Sequence, residues 1–269
     1  MTMTSTTTVE FTNPPVVEVA IGVEFQAISG WGVPHFGLFW EQIRSTYPNC
    51  LTKPPLASQI ELFGSPQRRP EITLQLVDGL NLRCWFEQAD QSRLLQVQEN
   101  RFILNWRRGD PSAIYPSYET LRPEFEDAWR VFSSFLVKNQ LEVPSIVQCE
   151  VTYVDLFPQG MGWSNTSEIC RITPIVGTFA NPVGELEAVT AAVRFLLPQK
   201  KGRVHAVLQP AIQSNGEEVM KLDVTARGAP ESPSFAAALD WLDYGHGVAV
   251  ETFLNLTTPE VQSLWGRRP

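Results

Sequence analysis

Hydrophobic and polar positions alternate along several stretches of the chain, which is the pattern of strands that bury one face. The first stretch places Val17, Val19, Ile21, Val23 and Phe25 on one side, with smaller or charged residues between them. Similar stretches predict seven more strands, at residues 82–88, 93–98, 101–107, 147–157, 186–197, 203–213 and 218–226. Short polar segments join several of these strands, so the pattern favours antiparallel hairpins.

Three other stretches place apolar residues at the spacing of an amphipathic helix. The first predicted helix ends at Pro48-Asn49, and the second begins near 117–120, where Pro123 would occupy the first turn. The third follows a Gly/Pro/Ser segment at 228–233, and Thr257-Thr258-Pro259-Glu260 then caps a short last helix. The apolar stripes contain Phe36, Phe39, Trp40, Ile43 and Tyr47; Leu121, Phe125, Ala128, Trp129, Phe132, Phe135 and Leu136; and Phe235, Leu239, Leu242, His246, Ala249, Val250 and Phe253.

Three segments show neither the alternation of a strand nor the spacing of a helix. Residues 1–13 are polar and threonine-rich, and we expect this N-terminus to be mobile. Residues 49–72 hold several prolines and the Gln67-Arg68-Arg69-Pro70 cluster, which predicts a long surface loop. Residues 158–184 are rich in Gly, Ser, Pro and Asn, and we expect one short helix there, at Ser167–Arg171.

The predicted elements follow the order strand, helix, three strands, helix, and then strand, loop, three strands, helix. This order suggests an internal duplication of one β-α-β-β-β-α unit, with residues 14–143 as the first unit and 144–269 as the second. Joining the two sheets edge to edge would remove two exposed edges. The predicted fold class is therefore α+β: one extended antiparallel sheet, with long helices packed on one face and the other face partly open.

Composition and charge exclude several classes of protein. The chain has 269 residues, 43% hydrophobic and 19% charged, so a sizeable core is possible and wholesale disorder is excluded. A formal charge of −8 argues against a protein that coats nucleic acid or anionic membranes. We find no secretory signal at residues 1–8, and no run of the about 20 apolar residues that a membrane-spanning helix needs. The sequence predicts a soluble, cytoplasmic protein with neither a membrane nor a nucleic-acid partner.

The sequence lacks the familiar motifs of metal and catalytic sites. Its three histidines and four cysteines form no C-x-x-C, H-x-H or H-E-x-x-H pattern. There is no G-x-S-x-G elbow and no P-loop, and Gly160-Met161-Gly162 lacks a following helix with a basic anchor. We therefore predict no cofactor, no metal and four reduced thiols. Two disulfides, or a histidine–carboxylate metal site assembled across the fold, are the open alternatives.

The richest cluster of candidate binding residues lies between one predicted strand and the helix after it. Guanidinium, amide and phenol groups near a helix N-terminus would suit a carboxylate or a phosphate. In the alternative interpretation, the arginines pair with Glu99, Asp110, Glu119 and Glu124 as a solvated network. The candidate residues of this cluster are Arg101, Asn105, Arg107, Tyr115, Tyr118 and Arg122.

Two further residues are candidates for the same binding role. His246 lies on the apolar stripe of the last long helix, between Gly245 and Gly247. It either contacts a ligand or is a buried histidine bonded to a neighbouring main chain. Each of the two glycines destabilises a helix by about 1 kcal/mol. Close approach of another backbone or of a ligand would explain why they are present. Trp163 follows a glycine-rich segment, and we expect its ring to lie exposed over a partner site.

Three motifs mark the two ends and the centre of the chain. They are Asn13-Pro14-Pro15-Val16-Val17-Glu18-Val19; Phe102-Ile103-Leu104-Asn105-Trp106-Arg107 with Tyr115-Pro116-x-Tyr118-Glu119 and Arg122-Pro123-Glu124-Phe125; and a closing helix with His246, Phe253, Leu256-Thr257 and Trp265. Together they resemble a sporadically distributed bacterial family of uncharacterised soluble proteins. The resemblance covers essentially the whole chain and implies no catalytic residues. It implies an accessory cytoplasmic role in mobile or defence-linked gene sets.

These observations favour a non-catalytic cytoplasmic binding or interaction protein. It would hold a partner protein or a small anionic ligand on the open sheet face and the Arg/Tyr cluster. The alternative is a hydrolase or nuclease acting on a phosphorylated substrate, with His246 or His35 as acid and base and the arginines as an anion clamp. That alternative requires a histidine beside the arginines and facing a cleft. A homo-oligomer is compatible with either function.

Overall fold

The structure, a computed structural model, describes residues 9–63, 82–110, 112–178, 184–213 and 215–268. The Gln67–Pro70 cluster of the predicted loop lies outside these residues, as do residues 1–8 of the predicted mobile N-terminus. The described part of the chain forms one nine-stranded sheet and four α-helices.

Every neighbouring pair of strands in the sheet is antiparallel. The strands are β1 (Val16–Phe25), β2 (Asn49–Lys53), β3 (Arg83–Glu87), β4 (Arg93–Gln98), β5 (Arg101–Arg107), β6 (Ile146–Pro158), β7 (Ala191–Leu196), β8 (Arg203–Ile212) and β9 (Glu218–Gly228). The helices are α1 (Val33–Ile43), α2 (Tyr118–Lys138), α3 (Phe235–Asn255) and α4 (Pro259–Leu264). The order across the sheet is β2-β3-β4-β5-β1-β6-β9-β8-β7, which confirms the predicted extended antiparallel sheet of an α+β fold.

The strand order is symmetrical about the central pair of β1 and β6. On one side of β1 follow β5, β4 and β3, and on the other side of β6 follow β9, β8 and β7. Strand β1 opens the first predicted unit and β6 opens the second, and Val19 lies opposite Tyr153 in their pairing. Two copies of one unit joined through their first strands would produce this order, while the duplication itself stays a prediction.

All the long helices lie on one face of the sheet, and the core lies between them and the strands. Alternate residues of each central strand point to the helices, because successive side chains of a strand face opposite ways. Aromatic rings fill much of this layer. Phe102 of β5 stacks on Phe132 of α2 at 5.0 Å between centroids, and Phe39 of α1 meets Phe132 edge-on at 5.4 Å. Burial of these side chains attaches the helices to the sheet.

The ends of the helices follow capping rules. The Ser234 side chain accepts a hydrogen bond from the Ala237 N–H at the start of α3, and Thr258 caps α4 in the same way through Val261. The predicted start of the second helix is confirmed at Tyr118, although Pro123 lies in its second turn and not its first. Among the described residues, no helix has both the length and the apolarity required to cross a lipid bilayer.

Three segments differ from the sequence-based expectations. Strand β2 lies in the predicted loop and pairs with β3 at the sheet edge; its exposed residues show no alternation that could have revealed it. Strand β7 is shorter than the predicted strand at 186–197. Phe11, in the segment expected to be mobile, forms a bridge with Arg267 and packs against Trp265. The aromatic ring of Phe11 binds this segment to the end of the chain.

Candidate functional site

The face of the sheet turned away from the helices carries paired charges. Its side chains come from the strand positions that alternate with the core positions. We call the sheet surface that carries them the polar face. Three of its ion pairs, each at 2.5 Å, join Arg101 with Glu24, Arg107 with Glu87, and Arg227 with Glu150.

A segment of the chain itself crosses the polar face. Residues 54–63, which we call the strap, leave edge strand β2 and run across the sheet without forming a strand. The strap contacts seven strands in their spatial order. Its partners in that order are Arg83 on β3, Gln98 on β4, Arg101 on β5, Glu24 on β1, Gln148 on β6, Arg227 on β9 and Arg203 on β8. The face that was expected to be open is therefore occupied along this line.

Two glutamine side chains hold the main chain of the strap. The Gln98 amide accepts a hydrogen bond from the Leu56 N–H at 2.8 Å and donates one to the Leu56 carbonyl at 3.1 Å. The Gln148 amide accepts from the Glu61 N–H at 2.8 Å and donates to the Gln59 carbonyl at 2.9 Å. Both glutamines are buried, with 5% and 3% of their surface exposed. A primary amide matches the donor and acceptor of a peptide, so these contacts recognise an extended backbone.

The far end of the strap inserts a carboxylate between three basic side chains, Arg203, His205 and Arg227, which we call the cationic pocket. Arg203 donates to Glu61, His205 Nε2 lies 2.5 Å from Glu61 Oε1, and Arg227 Nη1 lies 3.9 Å from the same oxygen. The Glu61 side chain is only 8% exposed. Burial raises the pKa of Glu61, but the hydrogen bonds and charges of His205 and Arg203 outweigh burial and hold that pKa below 4.5. Glu61 is therefore ionised at neutral pH.

Two other strap side chains contact the polar face. The Ser58 hydroxyl donates to the carboxylate of Glu24, which also accepts from Arg101. The Phe63 ring lies 4.6 Å from the guanidinium carbon of Arg203, a cation–π contact. Side chains at several points of the strap thus add specificity to the main-chain contacts.

Two predicted binding residues, Asn105 and Arg107, lie on the polar face beyond the strap. Asn105 is buried; it donates to Glu18 Oε1 at 2.6 Å and accepts from the Gln96 amide at 2.7 Å. Burial raises the pKa of Glu18, while the Asn105 hydrogen bond and the charge of Arg107 oppose the rise. Arg107 pairs with Glu87. Arg101 and Arg107 are paired, but with none of the four carboxylates that the alternative interpretation named, and the Arg101–Glu24 pair is buried rather than solvated.

Four predicted residues lie on the helix side of the sheet, where α2 meets α3. The rings of Tyr118 and His246 stack at 4.0 Å with an angle of 4° between their planes. The Tyr118 hydroxyl donates to Asp243 Oδ1 at 2.9 Å, and Arg122 Nε reaches the same oxygen at 3.3 Å. Tyr115 packs against the ring of Trp106 in the adjoining loop. These residues join α2 to α3.

Two residues of β6 complete this helix-side cluster. The Tyr153 hydroxyl lies 2.8 Å from His246 Nδ1 and 3.5 Å from the Tyr115 hydroxyl. Asp155 is 3% exposed, and its Oδ2 has no hydrogen-bond partner among the described residues. Burial lowers the pKa of His246 and raises the pKa values of Tyr153 and Asp155 well above their ordinary range. Burial and the nearby charge of Asp223 therefore favour the protonated form of the Asp155 carboxyl.

The sheet separates the predicted site into two groups. Arg101, Asn105 and Arg107 point to the polar face because they alternate with the core positions of β5. His246 packs on the opposite side, against Tyr153 of β6. The first histidine proposed for the hydrolase alternative therefore does not stand beside these arginines.

The other histidines also have partners within the protein. His35 lies at the start of α1 and stacks on Trp31 at 5.3 Å. His205 is the histidine that stands beside arginines, in the cationic pocket. Its Nε2 meets Glu61, and its Nδ1 lies 3.1 Å from Arg194 Nε. Both of its ring nitrogens are therefore engaged, which leaves none for acid–base work in this state.

Trp163 is buried, and its predicted exposure over a partner site is wrong. The residue is 5% exposed, and its indole N–H donates to the Phe157 carbonyl at 3.1 Å. Gly160 and Gly162 have φ angles of 87° and 91°, which glycine adopts readily. The Gly160 N–H bonds back to the Trp163 carbonyl at 2.8 Å, so the loop folds over and the ring turns into the core.

Sequence reasoning missed the residues that hold the strap. Gln98 and Gln148 occupy ordinary non-core strand positions and belong to no motif. Two signals could have pointed to the cationic pocket. Glu61 is the sole acidic residue between positions 45 and 70, and Arg203 and His205 are two apart on a strand, so they share a face.

A cleft of about 510 Å³ lies between α1 and α2, and its lining includes none of the predicted site residues. Phe39, Ile43 and Tyr47 contribute its apolar wall, and the Arg93–Glu124 pair at 2.5 Å lies at its polar side. Burial raises the pKa of Tyr47 to about 12. Within the ranges that the structure describes, no three His, Cys, Asp or Glu side chains are placed to hold a metal ion.

Comparison with known proteins returns no match: a scan against protein-family models, a search of curated proteins and a search of solved structures each find none. The family resemblance of the three sequence motifs therefore stays a prediction. Function has to be argued from the site itself.

Proposed function

We propose that this chain is a non-catalytic binding protein whose polar face receives an extended polypeptide segment of a partner. The observation that carries the proposal is the pair of amide clamps, Gln98 on Leu56 and Gln148 on Gln59 and Glu61. These clamps satisfy main-chain donors and acceptors, which any extended polypeptide presents. The strap occupies the surface in the way that a partner's segment would.

The dimensions of the contact line suit an extended chain. Seven strands at a spacing of about 4.8 Å span about 29 Å. Ten extended residues reach about 33 Å, so the strap just covers this distance. The contacts are spread evenly along the line, whereas a small-molecule site gathers its polar groups around one cavity.

The ion pairs of the polar face support binding and not catalysis. Arg101 and Arg107 each lie 2.5 Å from a carboxylate oxygen. An arginine that stabilises a developing negative charge has to be directed at the reacting group and not at a carboxylate of the protein. The pairing therefore suits a rigid recognition surface.

We also propose that the protein is cytoplasmic, and the state of the cysteines supports this location. All four cysteines lie in the described residues, and all four are unpaired thiols. Disulfides accumulate in oxidising compartments, and free thiols are typical of proteins kept in reducing ones.

Peptides selected from a displayed library of random decapeptides against the full-length chain test the proposal. The Leu56→Pro variant removes the strap N–H that Gln98 binds and leaves the face unchanged. We expect selected peptides to bind this variant about 2- to 10-fold more tightly than wild type, because one net hydrogen bond of the competing strap is lost. Gln98→Ala in the same background should remove the gain.

Ile60→Pro is the matched control, because Ile60 is exposed and its N–H makes no hydrogen bond among the described residues. Its peptide affinity should equal that of wild type. Peptide binding should also speed hydrogen exchange of the Leu56 and Glu61 amides, since the strap is displaced. A library that yields no peptide displacing the strap from either variant would refute the proposed function.

A further inference from the structure

We propose that the cationic pocket is the specificity site of the polar face, and that it binds an acidic side chain in the partner's extended segment. This inference rests on the proposed function. Under this proposal, the strap occupies the protein's own binding surface as a self-occupant. It carries the same recognition motif as the partner and has to leave before the partner binds. The motif is a carboxylate at the position of Glu61, with an aromatic ring two residues later.

The geometry of the pocket is that of a carboxylate site. Three basic side chains from two neighbouring strands converge on one carboxyl group, and Arg203 and Arg227 are themselves mostly buried. Their positions are set by the register of β8 and β9, where Arg203 lies directly opposite Arg227. A site built on strands holds its charges in place without an ordering cost when a ligand arrives.

The charge balance favours an anionic occupant. Without Glu61, the two arginines face one nearby carboxylate, Glu150, which lies 2.5 Å from Arg227. The pocket would then carry a net positive charge, in a chain whose formal charge is −8. An anionic side chain is therefore favoured in this pocket when the strap leaves, because it compensates the positive charge.

The aromatic part of the motif comes from Phe63. Its ring lies over the guanidinium of Arg203, whose NH groups bind Glu61 and the Leu62 carbonyl. One arginine thus contacts three successive residues of the strap. An arginine flanked by a carboxylate and a ring is selective for that pairing, because both contacts strengthen as water is excluded.

The strap is attached in a way that permits release. Among the described residues, no backbone–backbone hydrogen bond joins the strap to a strand. Of its large apolar side chains, Ile60 and Leu62 are 42% and 68% exposed, and Leu56 and Phe63 are only half-buried. Segments held by few apolar contacts open at lower free energy than the core.

A fluorescein-labelled peptide with the strap sequence PPLASQIELF, added in trans to the full-length chain, tests the inference. We expect Glu61→Ala to bind this peptide at least tenfold more tightly than wild type, because the self-occupant has lost its carboxylate. Glu142→Ala, which removes an exposed glutamate elsewhere, is the matched control and should bind as wild type does. Adding Arg203→Ala to Glu61→Ala should lower the affinity at least tenfold.

A second peptide, with alanine in place of the glutamate, separates the inference from the proposed function. If it binds the Glu61→Ala chain as tightly as the native peptide, carboxylate recognition is overturned while the proposed function stands. Tighter binding of a phosphoserine-containing peptide would overturn the carboxylate in favour of a phosphate. If library-selected peptides bind but neither strap peptide does, the strap is not a mimic, and the inference fails alone.

Circular dichroism and thermal melting check that each variant is folded. Should Glu61→Ala lose its fold, the isosteric Glu61→Gln replaces it, since the amide keeps the shape and lacks the charge. The expected order of affinities is the same for both variants, and wild-type affinity in the folded Glu61→Gln chain would overturn the inference.

Discussion

The two glycines beside His246 in α3 show how packing decides which residue a position requires. The sequence offered one explanation for both Gly245 and Gly247, namely close approach of another backbone or of a ligand. In the structure, a Cβ at Gly245 would lie 2.6 Å from Cζ3 of Trp241, one turn earlier in the same helix. A Cβ at Gly247 would meet nothing within 4 Å. Packing therefore requires glycine only at position 245, where the ring of Trp241 leaves no room for a side chain.

These two glycines therefore give opposite predictions. Gly245→Ala should destabilise the protein by about 1–3 kcal/mol, because the added methyl group overpacks the Trp241 ring. Gly247→Ala should stabilise it by about 0.5–1 kcal/mol, because alanine favours the helix and has room here. Urea denaturation of both variants measures the difference. Equal destabilisation by the two changes would contradict this account of the glycines.

His246 makes stability depend on pH. Burial lowers its pKa below 6.5, although the charges of Glu119 and Asp243 oppose the shift, and Tyr118 and Tyr153 contact its ring. The unfolded chain therefore binds the proton more readily than the folded one. Stability should fall as pH drops from about 6.5 towards the lowered pKa of His246.

The measurement is the free energy of unfolding at pH 7.5 and at pH 5.5. His246→Gln should lose less stability than wild type between these two values, because it has no imidazole to protonate. Gly247→Ala, on the same helix and without an ionisable group, is the control and should keep the wild-type difference. A His246→Gln chain with the full wild-type pH dependence would contradict the role given to burial.

At the scale of elements, the strap is the part of the fold whose attachment depends on polar contacts. Its amide clamps and its one inserted carboxylate replace the hydrogen-bond ladder of a strand. The element should therefore respond to changes that leave the sheet intact.

Acid should loosen the strap. The pKa of Glu61 lies below 4.5 in the folded chain, so its contribution is present above that value and is lost as pH falls through the lowered pKa. We expect pepsin to cut within residues 54–63 about tenfold more slowly in wild type than in Glu61→Gln at pH 5, because charged hydrogen bonds are the stronger ones. The ratio of the two rates should fall towards one as the pH is lowered through that pKa.

Taking the ratio removes the pH dependence of pepsin itself. Glu142→Gln, an exposed glutamate outside the strap, should be cut as wild type is throughout this pH range. A ratio of one already at pH 5 would show that the Glu61 carboxylate does not hold the strap.

At the scale of the whole molecule, the two predicted units share one sheet and do not form separate domains. Strands β1 and β6 pair along almost their full length, from Val16 opposite Asp155 to Phe25 opposite Ile146. The helix-side cluster adds contacts between α2 and α3, through Tyr118 and Asp243. Neither unit can keep its central strand covered without the other.

Residues 14–143 and 144–269, produced separately, should therefore aggregate, because each exposes a long central strand as a sheet edge. Production of both pieces together should recover a soluble complex. Size-exclusion chromatography and circular dichroism check both outcomes, with the intact chain as the reference. A monomeric first piece that unfolds cooperatively would show that the units are independent.

Much of the fold could be predicted because its determinants are local. The alternation of Val19, Ile21 and Val23 predicts β1, and the stripe from Leu121 to Leu136 predicts α2, since each pattern matches the period of its element. Strand β2 could not be predicted, because its exposed residues lie at an edge that only pairing with β3 defines. The buried position of Trp163 depends on a folded-back loop that composition does not reveal.

Local alternation and short turns are enough to specify the periods of the elements, the α+β class and the pairing of adjacent strands into hairpins. Which polar side chains lie together on one face of the sheet depends instead on long-range packing. Arg101 and Tyr118 lie 17 positions apart in the sequence but on opposite sides of the sheet, while Glu61 and Arg203, 142 apart, form one ion pair. Such pairing depends on strand register and on the path of the strap, which are set by the packing of the whole chain and by no local pattern.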